Sequence, residues 1–179
     1  MIEAAETYHG MYVKLHEAHK CAPHIWTKQE CTRILTAIMA AKSFSWRVIG
    51  ITPLALEQFS EKSYKKFKNS GITRAHLQPR INTVSQLLDP NTPLTKSEFL
   101  TKWIVNDRTV ICAKGENREI VPEYIPFDND DGSLFSCERV LAGWRHRKIE
   151  QEFLRELHQN YKNGNASITR DHLSNQVGT

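Results

Sequence analysis

The stretch Gly71-Ile72-Thr73-Arg74-Ala75-His76-Leu77-Gln78-Pro79-Arg80 sets one histidine between two arginines. Histidine exchanges a proton near neutral pH, and arginine presents a planar fork of donors that fits phosphate. If residues 72–77 are extended, Arg74 and His76 project to the same side. His76 then reads as a general base, with Arg74 and Arg80 as phosphate ligands. The plainer alternative is a hydrogen-bonded core histidine between solvated arginines.

A second stretch puts Asn106 and Asp107 before a β-branched run, Thr109-Val110-Ile111, and Glu116 and Asn117 after it. Oxygen and amide donors of this kind suit Mg²⁺ or Mn²⁺, with Glu116 as a further catalytic group. Two ordinary turns would use the same residues. A third, Gly143-Trp144-Arg145-His146-Arg147-Lys148, crowds cations onto a helix start, where the dipole disfavours positive charge. A bound anion would explain that choice, so Arg145, Arg147 and Lys148 are candidate phosphate ligands and His146 a candidate acid or base. Trp144 either stacks on a base or fills the core. A fourth group, His16, His19, Cys21, His24 and Cys31, holds zinc-type donors, but no Cys-x(2–4)-Cys pair exists and structural zinc is not expected.

The elements that must position these residues read mostly as helix. Apolar spacing gives helices over 3–20 and 28–42, the second opened by a capping box, Thr27 with Glu30, and a Trp26 staple onto Cys31. Residues 46–51 read as a buried strand, and Thr52-Pro53 as the N-cap and first residue of a third helix. Residues 72–77 are extended, 82–88 form a short helix, and Thr95 with Glu98 boxes a helix to about 105, with Leu94 stapled onto Phe99. A strand follows over 109–113, then a long loop over 120–137, and a last helix from about 145. The order predicts an α+β fold, helices flanking a sheet of three to five strands. Residues 1–162 form one domain, of which 1–43 are a helical part packed on the rest, and the polar stretch 163–179 is a flexible tail. Ile34, Leu35, Ile38, Val48, Ile49, Val110, Ile111, Phe153 and Leu157 are expected to share one core.

At 40% hydrophobic and 25% charged residues the chain is a folding sequence, not a disordered one. No run approaches the roughly 18 apolar residues of a membrane span, and the acidic N-terminus is no signal peptide, so no membrane partner and a cytoplasmic location are expected. Four dispersed cysteines fit free thiols in a reducing, bacterial or phage, cytoplasm. The net charge of +4 is unevenly spread: residues 61–80 hold six cations against Glu61, and residues 123–138 hold five acids and no base. That asymmetry permits an oriented nucleic-acid face, although a lysine-rich helix also has an ordinary solvated side.

Through Trp46-Arg47-Val48-Ile49-Gly50-Ile51-Thr52, Arg74-Ala75-His76, Asp107-Arg108-Thr109-Val110-Ile111, Glu116-Asn117 and Gly143–Lys148, residues 45–158 resemble a family of uncharacterised bacterial proteins, which carries no established activity. More distantly, His76, Asn106 and Asn117 are similar to the histidine, asparagine and third polar residue of the HNH, or ββα-metal, nucleases. That resemblance implies a histidine that activates water, an asparagine that orients it and a further residue that helps hold one divalent metal. The leading expectation is therefore a nuclease or nuclease-like phosphodiester hydrolase acting on DNA or RNA. A metal-free form would share acid and base roles between His76 and His146. The alternative is a non-catalytic accessory protein that binds nucleic acid or a protein, and a purely structural role for the polar clusters stands beside both.

Overall fold

Threonine caps decide where three of the helices begin. Thr27 accepts the Glu30 amide at 3.2 Å and opens α2 (Lys28–Met39); Thr52 accepts the Ala55 amide at 3.2 Å and opens α3 (Pro53–Ser60). At Thr95 the capping box is complete, with the Thr95 amide donating to Glu98 at 2.8 Å, and it opens α5 (Lys96–Asn106). At Thr27 the reciprocal arm is missing, because the Glu30 carboxylate takes Arg33 instead, at 2.5 Å. The remaining helices are α1 (Ala5–Cys21), α4 (Arg80–Leu88) and α6 (Lys148–Lys162). The computed structural model describes residues 4–40, 42, 44–66, 71–116, 122–128, 132–137 and 143–169.

Among the described residues four strands, β1 (Arg47–Ile51), β2 (Ile72–His76), β3 (Arg108–Ala113) and β4 (Ile125–Pro126), form one mixed sheet in the order β2-β3-β1-β4. β1 runs parallel to β3, whereas β2 and β4 are antiparallel to their neighbours. The fold is α+β, as the order of elements predicts. β4 falls inside the segment expected to be only loop. It crosses β1 at Gly50, where an added Cβ would strike the Tyr124 ring and lie 2.7 Å from the Ile125 carbonyl. Gly50 is what lets β4 approach.

The single expected core is three. On one face of the sheet, Val48, Ile51 and Ile111 pack with Leu56 and Phe59 of α3 and Leu154 of α6, and Phe153 and Leu157 join them. Ile49 and Val110 lie on the other face with Leu77 and Tyr124. Adjacent strand residues point to opposite faces, so Val48 and Ile49 cannot share a core, nor can Val110 and Ile111; a register shift between Val48 and Gly50 is what returns Ile51 to the face of Val48. Leu35, with Ile34 and Ile38 against it, belongs to a third cluster formed by α1, α2, α4 and α5, where Tyr12 stacks on Phe99 at 4.6 Å. The molecule thus has a helical half and a sheet half.

No helix among the described residues is long and apolar enough to cross a membrane. The segment expected to be a loose tail is placed at least to Thr169: Ala166 packs on the core, and Thr169 exchanges two backbone hydrogen bonds with Tyr124, at 2.8 and 2.9 Å. Backbone pairing, which polar composition does not announce, holds it there. The rest of that tail lies outside the described residues.

Candidate functional site

The chain crosses between the two halves three times before its last segment: from α2 into β1, from β2 into α4, and from α5 into β3. Asp107 stands at the third crossing, and its carboxylate gathers the other two. Oδ2 accepts from Ser45 Oγ at 2.6 Å and from the Trp46 amide at 2.8 Å, both at the entry to β1. Oδ1 takes Arg80 Nη2 at 2.7 Å and Nε at 3.0 Å, at the start of α4, and meets His76 Nε2 at 3.1 Å, at the end of β2. Asp107 is 2% exposed. Burial alone would raise its carboxyl, but the His76 and Ser45 hydrogen bonds and the Arg80 charge outweigh burial and hold it below the usual carboxylate range.

Trp46 is the platform of this cluster. Arg80 lies 4.4 Å and Arg74 4.7 Å from its ring centroid, and the His76 ring meets it edge-on at 4.5 Å. Its φ of 56° is unusual for a residue with a side chain. The backbone is held there from both ends, by the Trp46 amide donating to Asp107 and by Arg74 and Thr109 donating to the Trp46 carbonyl at 3.1 and 3.2 Å. Arg74 also donates to the Gly143 carbonyl, and burial lowers its pKa to about 10.

His76 and Asp107 are therefore brought together, with His76 17% exposed at the side chain. The other expected catalytic groups are elsewhere. Glu116 accepts from Thr52 Oγ1 at 2.6 Å and from the Ala113 amide at 2.7 Å, closing the far end of β3. His76 pairs with Thr109 and Ile72 with Ala113, so four residues of strand, about 13 Å, separate the two ends. His146 stacks on Phe59 at 5.2 Å, donates to the Tyr64 carbonyl at 2.7 Å and has Nδ1 buried without a partner. Burial pushes its pKa down. It is a half-buried histidine packed on the Phe59 and Phe135 rings, and the expected convergence of His76, Glu116 and His146 in one cleft is not what the fold produces.

The expected phosphate ligands are also largely spent inside the protein. Arg74 holds carbonyls and Arg80 holds Asp107. The anion that the start of α6 attracts is the protein's own Glu150, fully buried, which accepts from the Arg147 amide at 2.7 Å and from its Nε at 3.0 Å. Arg147 further donates to the Ser133 carbonyl at 2.9 Å. Lys148 is exposed and faces Glu152 at 3.6 Å, and the Arg145 amide donates to Ser136 at 2.9 Å. Trp144 is buried and fills the core.

Of the expected metal ligands, Asn106 donates weakly to Gln86 at 3.4 Å, and Asn117 lies outside the described residues. Both Asp107 oxygens already accept from donors, one of them a guanidinium, so a cation there would have to displace Arg80. Among the described residues no group of three or more acidic, histidine or cysteine side chains could hold a metal. His16, His19 and Cys31 each address a backbone carbonyl, of Pro90, Trp26 and Trp26.

Sequence reasoning missed a second polar array. Tyr64 Oη lies 2.8 Å from His158 Nδ1, and His158 Nε2 lies 2.9 Å from Glu57 Oε2. The one signal that could have found it is His158 itself, a histidine one turn beyond Leu154 on the buried stripe of α6. Nothing in the spacing joins it to Tyr64, 94 residues away. The chain matches no family model, no curated protein and no solved structure. Geometry alone therefore carries the functional reading.

Proposed function

We propose that the protein binds nucleic acid, recognising phosphates through the exposed basic segment that follows α3. The observation that carries this reading is a pair of cations without acids. Lys65 is exposed, and no carboxylate among the described residues pairs with it or with Lys66. Lys66 sets its ammonium 4.3 Å from the Trp144 ring centroid and donates to the Trp144 carbonyl at 3.1 Å. Partial burial, and after it the nearby Arg74 charge, lower its pKa. Lys62 is exposed beside them. Lys68, in the same basic run, lies outside the described residues.

A nuclease centred on His76 would draw on Asp107 to orient the imidazole, but it would have neither Glu116 nor His146 at hand. Binding needs neither. Fluorescence anisotropy with single- and double-stranded DNA and RNA oligonucleotides tests the reading. Affinity is expected to fall steeply with salt, and Lys65→Ala to lower the log–log salt slope by about 1. Absence of binding at low salt to all four probes would remove nucleic acid as a partner.

A further inference from the structure

We infer that Tyr64 is a nucleophile toward phosphodiesters, activated by His158 and Glu57 and placed inside the basic segment just described. The inference rests on the nucleic-acid reading for its substrate class and on the Tyr64–His158–Glu57 array for its chemistry.

The array has an internal logic. Glu57, at 54% side-chain exposure, is open to solvent, whereas His158 is 3% exposed. The tautomer that satisfies both contacts carries its proton on Nε2, donating to Glu57, and leaves Nδ1 to accept the Tyr64 hydroxyl. Nucleophile, base and orienting carboxylate thus follow one another, with each link within hydrogen-bond reach. Burial pushes the Tyr64 phenol up, and the Arg155 guanidinium, 5.4 Å from the ring centroid, pulls it the other way. A phenol in that state needs a base to attack, and His158 is the group in contact with it. Lys162 Nζ, 3.8 Å from Glu57, leaves a cation at the exposed end of the array.

The backbone beneath is held in a sparsely populated conformation. Ser63 and Tyr64 both have positive φ, 52° and 59°, and neither is glycine. Such a conformation is strained and persists where surrounding contacts over-determine it. Here the contacts are the Tyr64 amide donating to Phe59 at 2.7 Å and His146 donating to the Tyr64 carbonyl at 2.7 Å. His146 is thus a positioning residue for Tyr64. Lys62 and Lys65 flank the tyrosine in sequence.

The reaction is a transesterification. Tyr64 Oη bonds to phosphorus and one bridging P–O ester bond breaks. The phenolic proton passes to His158 Nδ1, and the departing alkoxide, in line on the far side of phosphorus, takes a proton from water; Glu57 balances the imidazolium until its proton returns to solvent. No oxidant, reductant or reactant besides water is required.

The test uses the full chain with two probes. The p-nitrophenyl ester of thymidine 5′-phosphate reports attack by release of p-nitrophenolate and by a thymidylyl mass increment, located by peptide mapping. Labelled oligonucleotides, quenched in SDS, report attack on a natural diester. Expected are an adduct on Tyr64, its loss in Tyr64→Phe, and a rate lower by about 10²–10⁴-fold in His158→Gln. Tyr64→Phe keeps the ring, and circular dichroism confirms its fold. Oligonucleotide binding with no adduct from either probe overturns the nucleophile and leaves the binding reading standing. An adduct from the nitrophenyl ester without oligonucleotide binding supports the nucleophile and overturns nucleic acid as its substrate. An adduct that persists in Tyr64→Phe overturns the assignment of the residue.

Discussion

In the helical half, His9, His16 and His19 each turn a ring nitrogen to a backbone carbonyl, of Leu94, Pro90 and Trp26. Tyr12 there donates to the Leu87 carbonyl and accepts from the Leu94 amide, and Lys20 reaches the Asp89 carbonyl. Residues 9, 12, 16 and 20 make one stripe of α1, and the stripe's task is to satisfy the backbone at the end of α4 and on the way to α5. In the sheet half, His158 turns its nitrogens to Tyr64 and Glu57, side chains that can themselves gain or lose charge. A carbonyl can only accept, so it fixes the proton on its histidine. A histidine between a phenol and a carboxylate can pass one along. The histidines of α1, like His146 of the sheet half, which holds the Tyr64 carbonyl, therefore serve architecture, whereas His158 stands between two titratable side chains, and the partner, not the residue, makes the distinction.

The Asp107 cluster joins the halves, so removing it is the strongest way to break the contrast. Asp107→Ala leaves Arg80, 10% exposed, as an uncompensated cation, and loss of one partner of a buried ion pair costs about 3–5 kcal/mol. Urea unfolding followed by tryptophan fluorescence and by circular dichroism is expected to show that loss. Asp107→Ala within about 1 kcal/mol of wild type would mean that apolar packing, not the carboxylate, holds the halves together.

A smaller effect sharpens the architectural side. His16→Ala leaves the Pro90 carbonyl without its donor, a cost of about 1–3 kcal/mol, and should leave oligonucleotide affinity unchanged. A change in affinity without a change in stability would show α1 to be part of the binding surface.

The smallest effect concerns acid. His146, depressed by burial, binds a proton less readily folded than unfolded. Its contribution is complete above the unfolded value of about 6.5 and declines as pH falls through that value toward the folded one. Asp107, also depressed, contributes fully above about 3.9 and loses that only below it. The urea midpoint should therefore fall from pH 7 to pH 5 in the wild type and fall less in His146→Gln. Equal slopes would place the acid sensitivity elsewhere.

What could be read from the sequence was what is decided locally. The caps at Thr27, Thr52 and Thr95 announced three helix starts within a turn of sequence, and β-branched runs announced β1 and β3. The pairing of His76 with Asp107 was half legible, since both residues were singled out but for different tasks, a base and a metal ligand. What could not be read was long-range. Whether Arg80 meets a phosphate or Asp107 depends on how α4 and α5 return to one point. That Arg147 faces Glu150 was within reach, three residues apart, but the dipole argument directed attention to an external anion instead. Glu57, Tyr64 and His158 belong to three separate segments, and only packing of α6 on α3 brings them together.

β4 is two residues long, stands at the edge of the sheet and ends in Pro126. A proline offers no amide hydrogen, and so short an edge gives an approaching chain almost nothing to pair with. Beside it, the Tyr124 amide and carbonyl are already paired with Thr169, so among the described residues this side of the sheet leaves little open edge for a second molecule.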